Sequence, residues 1–105
     1  MPFANSMELA IHFRKHGHKF GAATETDYER LAEQFLFGIM DSDTQDCIRP
    51  DGIDRVRFKN SNRYLGVAII APGFVRTFFP VEAWHIAHYG GTVGYLAFEC
   101  NRRFP

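Results

Sequence analysis

Two periods of apolar residues divide the chain. In the N-terminal third the spacing is helical, and from Asp54 it alternates. Met7, Leu9, Ala10 and Phe13 supply the contacts of a first helix that Asn5 or Ser6 can cap, with Glu8 in its opening turn. Gly17 ends or distorts that helix, and Gly21 closes the segment. Thr24 or Thr26 caps a second helix, and Thr26-Asp-Tyr-Glu29 has the form of a capping box. Tyr28, Leu31, Ala32, Phe35 and Leu36 then recur at i, i+3, i+4, i+7 and i+8, and Gly38 stops the run.

Residues 41–53 are polar and contain Pro50 and Gly52, which predicts a loop with room for a short strand at Asp46–Arg49. Arg55–Lys59 alternates, placing Val56 and Phe58 on one face and Arg55, Arg57 and Lys59 on the other. Tyr64–Ile70 and Phe74–Phe79 are β-prone runs separated by an Ala-Pro-Gly turn, so residues 55–79 predict an antiparallel meander. Within the third strand, Arg76 and Thr77 are expected on opposite faces. Residues 81–89 read as an irregular or short helical crossing, and Thr92–Cys100, after Gly90 and Gly91, as the fourth strand. Helices segregated from strands predict an α+β domain over residues 1–105, with two N-terminal helices packed on a four-stranded antiparallel sheet.

Composition adds exclusions. At 105 residues and 46% apolar, the chain can bury a core without help from metal or disulfide. Cys47 and Cys100 make no disulfide framework; two free, partly buried thiols are the expectation, with a bridge between them left open. No run is long enough for a membrane span, and the first residues lack a signal pattern, so any export relies on a region outside this sequence. The formal net charge of zero argues against a nonspecific coat on nucleic acid. It still permits a local basic site, because residues 12–19 hold three His, two Lys and one Arg, while residues 25–54 hold most of the acids.

That basic segment is the main chemical candidate. His12, Lys15, His16 and Lys19 lie at i, i+3, i+4 and i+7, so a persisting helix would carry two imidazoles and two ammonium groups on one face. One imidazole could take the 2′-OH proton of RNA and a second could protonate the leaving oxygen, while the lysines stabilise charge on the phosphate. The plain alternative is a solvated cationic helix face. A zinc site is weaker, because Phe13 stands where a metalloprotease helix needs its Glu. Asn62, Arg76 and Tyr95 are candidate substrate contacts, each with an equally ordinary structural reading as turn former, strand cation or packed aromatic. His85 and His88, near Trp84 and Tyr89, read either as stacking groups or as packing over the sheet.

Taken together, Phe3-Ala-Asn-Ser6, His12-Phe-Arg-Lys-His-Gly17, Phe20-Gly21, Thr26–Leu36, Val56-Arg-Phe58, Gly66-Val67 and Val75-Arg-Thr-Phe-Phe-Pro80 form an ordered pattern over residues 3–80. It resembles the C-terminal nuclease domains of bacterial polymorphic toxins in the barnase–EndoU–colicin–RelE-like superfamily, which end contact-dependent inhibition, Rhs and secretion-system effectors. The resemblance implies a metal- and cofactor-independent endoribonuclease, with tRNA the expected RNA, and a cognate immunity protein. It also implies delivery by a carrier region and action in the cytoplasm of a target bacterium. Residue by residue, it makes His16 the general base or acid and Lys15 and Arg57 phosphate-stabilising cations. Thr77 becomes a hydroxyl donor and His12 a second imidazole. Lys59 and Asn60 stand where family members tend to carry an acidic residue and Pro. The alternative is a non-catalytic RNA- or protein-binding module on the same fold; nucleotide or ADP-ribosyl chemistry lacks a recognisable Gly-rich phosphate loop.

Overall fold

The computed structural model describes residues 2–102. The elements run α1 (Ser6–His16), a 3-10 turn (Gly17–Phe20), α2 (Glu25–Phe37), β1 (Thr44–Ile48), β2 (Asp54–Lys59), β3 (Tyr64–Ile69), β4 (Phe74–Pro80), α3 (Ala83–His88) and α4 (Thr92–Asn101). The four strands form one sheet in the order β1-β2-β3-β4, every pair antiparallel. The chain is therefore an α+β domain whose N-terminal helices pack against a four-stranded antiparallel sheet.

The N-terminal helices start at identifiable caps. Asn5 accepts from the Glu8 amide at 2.8 Å, and Thr24 accepts from the Asp27 amide at 3.1 Å. Thr26 lies inside α2, so the capping-box reading at Thr26 and Glu29 does not hold; Glu29 instead accepts from the Phe3 amide at 3.3 Å.

The fourth strand is not residues 92–100. It is β1, drawn from the polar stretch, and residues 92–101 are α4. β1 is an edge strand with Gln45, Asp46 and Ile48 exposed, so it buries too little to need an apolar alternation. In α4 the inward positions are Tyr95, Leu96, Glu99 and Cys100, a helical stripe disguised by one carboxylate and one thiol. That thiol forms a disulfide with Cys47 across 53 positions of sequence, which overturns the free-thiol expectation. Closing a loop of that length removes denatured-state entropy worth about 4 kcal/mol.

Both faces of the sheet are covered. Tyr28, Ala32 and Leu36 of α2 join Phe3, Leu9, Ala68, Val75 and Phe78 in one cluster, and Val56, Phe58, Leu65, Val67, Val81, Ile86 and Tyr95 form the other. Gly66 lies beneath α2, where a Cβ would sit 2.9 Å from the Leu36 side chain, so the helix can approach β3 this closely only over glycine. Tyr28 donates its hydroxyl to the Phe78 carbonyl at 2.5 Å, and burial pushes that phenol's pKa up.

The α3–α4 face is held differently. Buried Arg49 donates to Asp54 at 3.2 Å, to the Glu99 carboxylate at 3.0 Å and to the Glu99 carbonyl at 2.9 Å. Tyr95 donates to Glu99 at 2.9 Å, and Arg76 donates to Asp54 at 2.8 Å. The register between β3 and β4 shifts between Val67 and Ala68, which face Thr77 and Val75, so Arg76 is an extra, bulged residue. Thr77 stands opposite Val67 of the second cluster, and Arg76 reaches Asp54, which shares a strand face with Val56 and Phe58. Both side chains therefore serve the α3–α4 side, contrary to the simple alternation expected of β4.

Candidate functional site

α1 carries the basic segment into the fold. Leu9 is buried and Phe13 packs against the same cluster, which anchors the helix on the sheet and leaves His12, Lys15 and His16 toward one margin. The helix does not persist to Lys19. It tightens into the 3-10 turn at Gly17, and Gly21 closes the turn with φ 69°. The turn still returns Lys19 to the site, with Nζ 3.4 Å from His16 Nδ1.

The two imidazoles are neighbours, with ring centroids 6.2 Å apart. His16 also lies over Phe79 of β4, centroids 5.2 Å apart and rings tilted by only 24°. Thr77 lies two residues before Phe79 on the same strand face, so their Cα atoms are about 7 Å apart along β4. Sequence reasoning assigned no role to Phe79; its signal was its place two residues from Thr77 in an alternating strand.

The electrostatics divide the histidines from ordinary surface imidazoles. Burial first, and then repulsion from Lys19, His12, Lys15 and His18, together lower the His16 pKa to about 4. His12 is lowered too, first by burial, against the opposing pull of Glu8, whose carboxylate is 3.7 Å from Nε2. His12 Nδ1 is buried without a hydrogen-bond partner. Lys15 and Lys19 are exposed, where a polyanion can reach them.

The remaining sequence candidates do not converge on this group. Arg57 does not line a solvated face: its side chain is 9% exposed, and it donates to the Phe35 and Gly38 carbonyls at 3.2 and 2.7 Å. It therefore closes the C-terminal end of α2, with Asp46 3.7 Å away, and burial lowers its pKa. Tyr95 is on α4 rather than on a strand, is fully buried and is bonded to Glu99, so it offers no surface to a substrate. Arg76 is committed to Asp54. Asn62 is exposed in the β2–β3 turn, at the end of the sheet where Tyr64 pairs with Pro80. His85 packs between Trp84, Tyr89 and Tyr95.

Among the described residues no three His, Cys, Asp or Glu side chains come together to hold a metal ion. Among the described residues no helix is long and apolar enough to cross a membrane. No protein-family model, curated protein or solved structure matches the chain.

Proposed function

We propose that the protein is an endoribonuclease that cleaves RNA by 2′-OH attack without a metal. The observation that carries this reading is the pair of half-buried imidazoles, His12 and His16, 6.2 Å apart and flanked by Lys15 and Lys19. At pH 7 a group of pKa about 4 is protonated in roughly one molecule in a thousand, so His16 serves as base rather than acid. Lys19 donates to Nδ1 in the free protein. When a phosphate draws Lys15 and Lys19 away, Nδ1 is uncovered and two of the repulsions holding the pKa down are relieved. The base then strengthens as substrate binds. The lysines stabilise the phosphorane charge, Thr77 at the β4 margin donates to the same phosphate, and His12, the second imidazole, passes a proton to the 5′-oxygen as its bond to phosphorus breaks. Arg57 and Tyr95 are left out of this site because the fold uses both internally.

The toxin resemblance extends the proposal. The RNA is then a cellular one, tRNA first among them. An immunity protein is the partner, a carrier region delivers the domain, and the target-cell cytoplasm is the place of action.

The test is cleavage of tRNA and total RNA in EDTA. The wild type should cut, and His16→Ala should be slower by about 10²–10⁴-fold. The acid limb of kcat/KM should fall near pH 4, and that of kcat at a higher pH, because the bound phosphate occupies the lysines. No cleavage, or equal cleavage by His16→Ala, would overturn the reading. A non-catalytic binding module is the second reading, favoured by the engagement of Arg57 inside the fold; RNA binding without turnover would establish it.

A further inference from the structure

Next to the basic segment, on the α2 side of the sheet, is a cleft of about 330 Å³. It opens between the C-terminal end of α2, the loop that follows and the β2–β3 turn. Its size is at the small end of ligand sites. The floor is aromatic. Phe20 stacks on Phe78 with centroids 4.2 Å apart and planes within 10°, and Tyr64 meets Phe20 edge-on at 4.8 Å. Phe35 adds a further ring 5.2 Å from Phe78.

The rim is polar in a selective way. Asp41 and Lys59 neutralise each other at 2.5 Å, so that side has no spare cation for a free phosphate. Gln34 and Asn62 differ. The Gln34 carboxamide makes no hydrogen bond with the described residues, and Asn62 accepts from Ser61 but leaves its amide nitrogen unused. Two exposed carboxamides above a floor of rings supply paired donors and acceptors over flat apolar surface.

We propose that this cleft is a nucleobase-binding subsite. A base presents a π-face for the aromatic floor and an edge of alternating donors and acceptors for Gln34 and Asn62. Phe20 directly follows Lys19 in the 3-10 turn, so one turn supplies both a floor ring and a cation of the imidazole site. The link between base recognition and cleavage rests on the ribonuclease reading; base binding itself does not.

The experiment titrates the four 3′-nucleoside monophosphates into isotope-labelled protein and follows the side-chain amide signals by NMR. One base should bind in preference and move the Gln34 and Asn62 signals. The exposed double variant Gln34→Ala/Asn62→Ala should weaken that binding about tenfold or more, the factor carried by one paired amide–base contact, with an unchanged circular dichroism spectrum. The proposal is overturned if no nucleotide binds, if the double variant binds equally, or if toluene perturbs the cleft as strongly as the preferred nucleotide. Base binding by a protein that cuts no RNA would sink the ribonuclease reading and keep the subsite. RNA cleavage with a base preference unchanged in the double variant would do the reverse.

Discussion

On one face of the sheet, α1 and α2 bury Phe3, Tyr28 and Phe78 in an aromatic cluster whose main internal polar contact is one phenol–carbonyl bond. On the other, α4 is tied down by a disulfide through Cys100 and by Arg49 set between Asp54 and Glu99. The difference follows from what the helices turn inward. α2 buries Tyr28, Ala32 and Leu36, whereas α4 buries Tyr95 beside the Glu99 carboxylate, and α3 buries Ile86. A buried carboxylate needs a charged partner, so ionic and covalent ties carry that layer. The candidate site lies at the margin where the two regimes meet, with His16 from the first layer resting on Phe79, a neighbour of the second cluster.

The contrast can be broken most severely at Arg49. Arg49→Ala leaves Asp54 and Glu99 buried without their shared partner and should cost about 3–5 kcal/mol in urea denaturation. Opening the Cys47–Cys100 bridge should cost at most about 4 kcal/mol. Its sharper signature is regional: amide exchange in α4 should accelerate before that in α2. Equal acceleration in both helices would erase the distinction between the layers. The smallest effect is expected on the aromatic face, where Tyr28→Phe removes one hydrogen bond and keeps the packing. A loss of about 1–2 kcal/mol in thermal denaturation is expected, since the Phe78 carbonyl loses its side-chain donor.

This division also explains what could be read from the chain. α1, α2 and β2–β4 were legible because Leu9, Tyr28, Ala32, Leu36, Val56 and Phe58 announce their period in apolar residues. α4 was hidden because Glu99 and Cys100 occupy inward positions, and their partners, Arg49 and Cys47, lie about fifty residues earlier. β1 was legible only in part, as room for a short strand at Asp46–Arg49 where Thr44–Ile48 forms one, because an edge strand can be largely polar. At the candidate site, the grouping of His12, His16 and Lys19 followed from local spacing. The fate of Arg57 did not, because a guanidinium facing a loop and one closing the end of a helix give the same strand pattern.

The bridge between Cys47 and Cys100 makes a covalent ring of everything from the end of β1 to the end of α4. A protease that nicks the exposed Ala71-Pro72 turn would therefore release nothing. The cut protein would gain the mass of one water and migrate as a single species until a thiol reductant is added, when it would part into two pieces. In an oxidising compartment such a clipped chain stays one covalent molecule, and in a reducing one only the β3–β4 pairing and the shared core hold its two pieces together.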